Sequence, residues 1–469
     1  MGDHGEAVVK KAIEALRGAE NEQLERLREF LRIPSVSTYA EHRGDVEAAA
    51  SWLARQLEAL NAEEVRLVPT GGAPVVVGHL PPPVPGAPTV LVYGHYDVQP
   101  VEPLKEWRSE PFAPEIKGEN LYARGASDMK GQIMAVLNAL EALTAGGGGM
   151  PVGVRFLFEG EEEIGSRHLA DFMKKHPDLL AADICLNPDA GMLGPEQPAI
   201  TYALRGLAYF ELRVRGPAHD LHSGAYGGAV HNPAQALCEL IACMHDESGR
   251  VTLPGFYERV RALSAEERRD LARLTESDRK ILETAGVRKL WGEPDYSVLE
   301  RIGARPTLEV NGLLSGFTGE GSKTVLPAVA MAKISTRLVA DQRPEEVREQ
   351  LEAFIREHLP DTVSWELEQF AAGPPVLCPT DSPGIRALSG AMETVWGRRP
   401  LFRRSGGSVP VGAYLQQFAG VDSVLTGFAL PDDNMHAPNE KLHLPTWRKG
   451  SEALVYFFHA LAAGQAEEK

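Results

Sequence analysis

The chain has 469 residues with a formal net charge of −17, and 43% of its residues are hydrophobic. This acidic excess argues against nucleic acid or an anionic membrane surface as a partner, and no apolar run is long enough to span a bilayer. Four cysteines in a chain this long do not form a disulfide framework, and the N-terminus lacks the apolar core of a signal peptide. We therefore expect a cytoplasmic protein of two or three domains.

The N-terminal part of the chain predicts helices and short strands. Leucines at helical spacing favour a helix over residues 6–32 that ends before Pro34. Asp45 is a suitable N-cap for a second helix, which is followed by strands near residues 65–68 and 75–80. From there to residue 189 strands and helices alternate, which predicts an α/β fold with a mixed, mostly parallel sheet sandwiched by helices.

The first polar motif follows a continuous apolar strand in the segment TVLVYGHYDVQP, residues 89–100. Ligands of open α/β sheets gather at the carboxyl ends of strands. Side chains two residues apart point the same way in extended backbone, so His95 and Asp97 can act together. A carboxylate beside a metal-bound imidazole commonly accepts the second ring N–H.

The second motif, LYARGASDMKGQ at residues 121–132, delivers Asp128 to the start of an apolar-faced helix after a tight Gly-containing turn. Taken alone, an aspartate in this place is more typical of an N-cap than of a ligand. Its meaning depends on the other motifs.

Three further motifs add carboxylates and a second histidine. VRFLFEGEEEIGS carries Glu162 and Glu163 after a second apolar strand, and DICLNPDAGML ends a third strand near Asp189. NMHAPNEKL, far along the chain, brings His436. Clustered carboxylates repel one another unless a cation offsets the charge. Two histidines with several carboxylates suit Zn, Mn or Co more than Mg or Ca.

The pattern changes after residue 206. The segment 207–214 alternates like a half-exposed strand, and an apolar helical pattern over 233–244 predicts buried thiols at Cys238 and Cys243. A charged helical region follows over 257–286. The pattern of the first part returns after residue 373, so we predict an α+β domain, 207–373, inserted into a discontinuous catalytic domain formed by 1–206 and 374–469.

The ordered set GHYDVQP, RGASDMKG, EGEEEIGS, NPDAG and MHAPNE resembles the M20 family of metallopeptidases, most closely its carnosinase and cytosolic nonspecific dipeptidase branch. The resemblance spans nearly the whole chain. It implies that the inserted domain is a lid that also forms a homodimer, and that each subunit binds two divalent ions, with zinc expected ahead of manganese or cobalt.

The resemblance also implies a role for each motif. Asp128 would bridge both ions, and each ion would have two further ligands: His95 and Asp189 for one, Glu163 and His436 for the other. Glu162 would be the general base and Asp97 would orient His95. The Gly165-Ser166 anchor sets this register, and Glu161 receives no role.

Substrate-binding residues are implied by the same resemblance. Arg337 in AKISTRLV and the Gly407-Ser408 turn in RSGGSVP would bind the carboxylate of a small peptide substrate, with Asn311 and Thr324 as further contacts. His222 in DLHSGAYGG would reach into the neighbouring subunit's site. From the residues alone, His222 is more typical of a turn or interface, and Arg337 fits a surface ion pair equally well.

Three functions remain open from the sequence. Aspartate rather than glutamate at position 189 accompanies dipeptidases among relatives, which favours hydrolysis of dipeptides or short peptides. The same site could serve an N-acyl amino acid deacylase or desuccinylase. A non-catalytic member of the family is disfavoured by the complete ligand set.

Overall fold

The computed structural model describes residues 3–274, 278–407 and 410–467. The chain forms two compact units. The first comprises the described residues of Met1–Tyr202, Cys378–Phe402 and Val411–Lys469, and the second those of Ala203–Leu377 and Arg403–Pro410.

The first unit is built on a mixed sheet. Its strands lie in the spatial order Glu63–Val68, Val75–Leu80, Gly153–Glu159, Thr89–His95, Ile184–Asn187, Ser423–Leu425 and Ala199–Leu204. The middle four strands pair in parallel, whereas the strands on either side pair antiparallel. The parallel strands are apolar and buried, as expected for strands covered on both faces. The predicted mixed sheet flanked by helices is confirmed.

Helices and short elements complete the first unit. The helices are Asp3–Gly18, Glu20–Leu31, Arg43–Ala59, Lys130–Ala145, Leu169–Lys175, Pro177–Leu180, Pro383–Trp396, Pro410–Ala419 and Leu444–Glu467. Single 3-10 turns are Ala40–His42, Leu104–Glu106 and Glu162–Ile164, and a small sheet joins Lys441–His443, Asn120–Tyr122 and Glu115–Lys117. The helix Lys130–Ala145 is buried on nearly every face, so the turn before it rests on a fixed support.

Two details of the N-terminal prediction were wrong. The helix expected over residues 6–32 is divided at Ala19 into two helices. Asp45 lies inside the first turn of its helix, where its carboxylate is 2.7 Å from Nδ1 of His42, and His42 occupies the N-cap position. Asp45 still favours the helix, because a negative charge there complements the helix dipole.

The second unit contains a four-stranded antiparallel sheet in the order Thr307–Ser315, Val329–Leu338, Gly206–Arg215 and Ser364–Gly373. Side chains of the helices Pro233–Ala242 and Pro344–His358 join those of the sheet in one apolar core. Further elements are the helices Ser223–Tyr226, Ala265–Leu271, Asp278–Ala285 and Val298–Ala304, the antiparallel pair of short strands Leu221–His222 and Val325–Leu326, and the strand Val376–Leu377. The strand Leu401–Ser405 pairs with Ala199–Leu204 of the mixed sheet, and its residues Leu401 and Phe402 belong to the first unit.

One prediction for this unit was wrong. Cys238 and Cys243 are exposed rather than buried, because the helix buries a face that includes Ala236, Leu237 and Leu240 instead. The charged region 257–286 forms two short helices, and Ser264 starts the first of them with a capping box to Glu267.

Across the described ranges 3–274, 278–407 and 410–467, none of the helices has the length and apolar character needed to cross a membrane.

Candidate metal centre and substrate-binding residues

The central strands of the first unit end at one edge of the sheet, and acidic side chains follow them there. His95 is the last residue of its strand and is fully buried. Glu162 and Glu163 lie in the 3-10 turn that follows the neighbouring strand. Asp189 comes two residues after the strand Ile184–Asn187, which pairs with the His95 strand on its other side.

Asp128 connects two groups of side chains at this edge. Its Oδ1 lies 3.1 Å from Nε2 of His95, and its Oδ2 lies 2.8 Å from Nε2 of His436. Asp189 lies 3.9 Å from Nε2 of His95, and Glu163 lies 3.3 Å from Nε2 of His436. The ligand atoms of each group fall within 4.8 Å of one another. Five side chains predicted from four separate motifs and one distant loop therefore meet.

For both histidines, attraction to neighbouring carboxylates outweighs the effect of burial on the pKa. Burial lowers the pKa of His95, but hydrogen bonds to Asp128 and Asp97 and the charge of Asp189 outweigh it and raise that pKa well above its usual range. The pKa of His436 is raised to about 10 by its hydrogen bonds to Asp128 and Glu163. Both rings thus face enough negative charge to hold a cation.

The pKa values of Asp128 and Asp189 shift in opposite directions. Burial raises the pKa of Asp128, yet the hydrogen bonds from His436 and His95 and the charges of these two rings together outweigh burial and hold that pKa far below its usual range. Burial raises the pKa of Asp189 to about 7, helped by the charge of Asp128. The carboxylates of this cluster therefore lack enough neighbouring positive charge, and a bound metal cation would supply it.

The donor set fits a divalent transition metal. Two imidazole nitrogens and three carboxylates, with Asp128 shared between the groups, are ligands that Zn, Mn and Co accept.

The glutamate run separates into different environments. Glu161 is buried, accepts a hydrogen bond from Nδ1 of His168 at 2.8 Å and contacts the main-chain N–H of Ala73. Glu162 instead experiences the charges of His95, Asp189, Glu163 and Asp128, and burial with these carboxylates raises its pKa.

Asp97 contacts both the His95 ring and the glutamate turn. Its main-chain oxygen lies 3.1 Å from Nδ1 of His95, while its carboxylate lies 3.5 Å from that atom. The same carboxylate accepts the main-chain N–H groups of Glu162 and Glu163 at 3.3 and 3.1 Å. This second contact was missed by sequence reasoning, because it joins residues that are far apart in the chain.

Two further residues contact candidate ligands and were also missed. The side-chain amide of Gln99 donates to Glu163 at 2.7 Å. The carboxylate of Glu440 accepts the main-chain N–H of Asp128 at 3.0 Å. Both residues lie inside motifs already singled out, GHYDVQP and MHAPNE, and that proximity was the available signal.

The second unit gathers arginines near a glycine turn. Arg337 is half-buried in the strand Val329–Leu338, where burial lowers its pKa. Arg205 donates its main-chain N–H to the oxygen of Gly407 at 3.1 Å and its Nε–H to the oxygen of Gly406 at 3.2 Å. Burial, followed by the positive charge of Arg337, lowers the pKa of Arg205 to about 10. Ser408 lies outside the described residues.

The remaining predicted residues are exposed. His222 lies opposite Val325 in a pair of short antiparallel strands, and its Nδ1 accepts the N–H of Gly224 at 3.0 Å. The oxygen of Thr324 accepts the N–H of Ser223 at 3.1 Å, so Thr324 lies beside His222. Asn311 lies on the strand Thr307–Ser315.

The family model described as Peptidase family M20/M25/M40 matches residues 91–460. The match covers more than half of the chain, which therefore belongs to this peptidase family.

Individual relatives agree with this assignment. The Cys-Gly metallodipeptidase DUG1 of Candida albicans is 31% identical over 454 residues, which cover 93% of this chain and 94% of the relative. The crystal structure of human carnosine dipeptidase 1 matches with a TM-score of 0.77 at 28% identity, covering 97% of this chain and 99% of that one. The M20 family metallo-carboxypeptidase Sso-CP2 from Sulfolobus solfataricus gives a TM-score of 0.83 at 33% identity, covering 94% and 99%. The predicted resemblance to the M20 dipeptidase branch is confirmed.

Proposed function

We propose that this protein is a metal-dependent dipeptidase that hydrolyses the peptide bond of dipeptides or short peptides. The observation that carries the proposal is the position of Asp128, whose two carboxylate oxygens face His95 and His436 separately. A carboxylate shared in this way suits two cations held side by side. Family membership and the dipeptidase relatives supply the reaction class.

Each of two divalent ions would have three protein ligands. His95, Asp128 and Asp189 would hold one, and Asp128, Glu163 and His436 the other. Zinc is expected ahead of manganese or cobalt, because imidazole ligands favour it over the harder cations. Bound there, such ions lower the pKa of water and polarise a peptide carbonyl.

Glu162 is the proposed general base. It accepts the proton of the attacking water and passes it to the leaving amine. Its main-chain N–H is held by Asp97, which also contacts the His95 ring, so the base and one ligand share a support. The neighbouring Glu161 is engaged by His168 and Ala73, which leaves Glu162 for the reaction.

The substrate carboxylate is proposed to bind in the second unit. Arg337 would pair with it bidentately, a geometry that guanidinium groups favour, while Gly407 and Ser408 would contact the same carboxylate. Asn311 and Thr324 are proposed as further contacts. The support is the proximity of Arg205, Arg337 and the glycine turn.

A substrate panel tests the proposed reaction. Chelator-stripped protein would receive Zn²⁺, Mn²⁺ or Co²⁺ and then Cys-Gly, β-Ala-His, other free dipeptides, N-blocked dipeptides, and N-acetyl or N-succinyl amino acids. We expect metal-dependent cleavage of the free dipeptides. Preferred cleavage of N-blocked dipeptides would indicate a carboxypeptidase, cleavage of the acyl compounds alone would indicate a deacylase, and a wholly inactive metal-loaded protein would overturn the proposal.

We also propose that the second unit forms a homodimer and that His222 completes the site of the neighbouring subunit. The resemblance to M20 dipeptidases and the exposure of His222 support this. Inactive His222→Ala and Glu162→Gln proteins should regain activity when mixed, because one site of the heterodimer would be intact. Absence of activity despite demonstrated subunit exchange would contradict the role of His222 in trans.

A further inference from the structure

The carboxylate of Glu440 gathers four hydrogen-bond donors in the interior of the first unit. The residue is fully buried. Its Oε1 accepts the main-chain N–H groups of Ser127 and Asp128 at 2.9 and 3.0 Å. Its Oε2 accepts the N–H of Gly125 at 2.9 Å and a guanidinium N–H of Arg124 at 2.7 Å. One side chain therefore binds most of the turn that carries Asp128.

This arrangement fixes backbone direction as well as position. Three main-chain N–H groups from consecutive parts of a tight turn converge on one anion, which is the geometry of a backbone anion nest. Rotating the peptide before Asp128 would break its bond to Glu440 and leave a buried donor unsatisfied. The peptide direction in turn sets where the Asp128 carboxylate points.

A second contact joins the same turn to the segment that carries His436. Oγ of Ser127 donates to Asp433 at 2.6 Å. Asp433 also accepts the ammonium of Lys441 at 2.8 Å, and its main-chain oxygen accepts the N–H of Lys441 at 3.0 Å. His436 lies in the loop between Asp433 and Glu440, so both ends of that loop are attached to the Asp128 turn.

We infer that Glu440 is a positioning residue that holds Asp128 and the His436 loop in the geometry needed for metal binding, an inference that rests on the proposed roles of Asp128 and His436. Glu440 contacts neither substrate nor the reacting atoms. Glu440 would influence both proposed ion sites, because Asp128 is shared between the two ligand groups. Partners behind metal ligands commonly control affinity in this way.

The second unit supplies a matched control. Glu293 forms a similarly buried pair with Arg305, at 2.9 and 2.7 Å, and Arg305 lies between the rings of Tyr257 and Tyr296. That pair involves none of the proposed metal ligands. It therefore separates the loss of a buried ion pair from the loss of positioning.

The first experiment measures Co²⁺ affinity and the Co²⁺ absorption spectrum of the full-length protein, together with its melting temperature. Glu440→Gln should weaken Co²⁺ binding by about 10- to 100-fold and alter the spectrum. Glu293→Gln should lower the melting temperature but leave affinity and spectrum unchanged. Wild-type affinity and spectrum in folded Glu440→Gln would overturn the inference, whereas failure of the wild type to bind Co²⁺ would overturn the proposed function instead.

A double variant separates stability from positioning further. Combining Glu440→Gln with Arg124→Met removes the buried cation that the single variant leaves unpaired, so the melting temperature should recover. Co²⁺ affinity should stay low, since the N–H groups of the turn still lack their anion. Recovery of affinity along with stability would show that Glu440 serves folding alone.

Hydrogen exchange of the unmodified protein covers the case in which Glu440→Gln does not fold. The peptide segment 122–132 should be equally protected in the Zn²⁺-loaded and chelator-treated proteins, because Glu440 rather than a bound ion holds its N–H groups. Rapid exchange of this segment in chelator-treated protein that remains folded would contradict the inference.

Discussion

The two units concentrate opposite charges. The first gathers Asp128, Glu163 and Asp189 with two histidines at the end of a parallel sheet. The second brings Arg205 near a glycine turn and close to Arg337, which lies on a strand of an antiparallel sheet. We therefore expect the two clusters to have different roles. Substitutions in the acidic cluster should reduce metal binding or turnover. Substitutions in the arginine cluster should weaken substrate binding.

The two clusters are also held in place by different kinds of hydrogen bond. The proposed acidic ligands are held by further side chains, such as Asp97 on the glutamate turn and Gln99 on Glu163. Arg205 is attached to the glycine turn through main-chain oxygens. A metal site tolerates little displacement of its ligand atoms, and carboxylates of like charge repel one another. The additional hydrogen bonds therefore keep the proposed ligands in place.

The largest expected effect comes from Glu162→Gln. Removing the proposed general base should lower kcat by about 10²- to 10⁴-fold while metal content and folding stay intact. Glu161→Gln is the matched control, because that side chain bonds His168, and it should keep kcat within several-fold of wild type. A larger loss in the Glu161 variant than in the Glu162 variant would show that the base has been placed one residue out of register.

The two histidines should differ in stability but not in stoichiometry. His95→Ala and His436→Ala should each reduce bound metal from two ions to one per subunit, as measured by metal analysis. His95 is fully buried whereas the side chain of His436 is 55% exposed. Only His95→Ala should therefore lower the free energy of unfolding substantially, by about 1–3 kcal/mol in urea titrations with chelator present. Equal stability of the two variants would contradict the importance of burial.

Arg337→Met should raise KM for free dipeptides by about 10- to 100-fold with little change in kcat, the loss expected for a charge-assisted hydrogen bond. Dipeptide amides, which lack the carboxylate, should be affected far less. Arg215→Met removes an exposed arginine that pairs with Glu366, and it should change neither parameter. An equal effect of Arg337→Met on acid and amide substrates would exclude the carboxylate contact.

The smallest expected effect on activity concerns Glu159, behind the acidic cluster. Burial, with the charge of Asp97, raises the pKa of Glu159 from 4.5 to about 8, while Tyr93 and Ser166 donate hydrogen bonds to it. The folded protein keeps this proton where the unfolded chain releases it, so the Glu159 contribution to stability falls as pH rises from about 4.5 to 8.

Glu159→Gln should remove that dependence. Urea unfolding at fixed metal concentration should show the wild type losing about 2–4 kcal/mol more than the variant between pH 5 and 8. Parallel curves for the two proteins would show that Glu159 does not hold the proton.

The sequence by itself determined the class of fold and the class of enzyme. Apolar strands ending in polar motifs predicted a mixed α/β sheet with ligands at one edge, because hydrophobic periodicity and strand ends are local properties. Five motifs in order were also enough to indicate the peptidase family. Exposure of Cys238 and Cys243 could not be read in the same way, since an apolar helix does not reveal which of its faces meets the core.

Tertiary structure alone decided how the proposed ligands are held. Asp128 meets His95 across 33 positions of the chain and His436 across 308, and no local pattern encodes such a distance. The roles of Glu440 and Asp97 depend on which main-chain N–H groups face their carboxylates. Any buried carboxylate needs donors, but only the folded chain determines which donors are within reach.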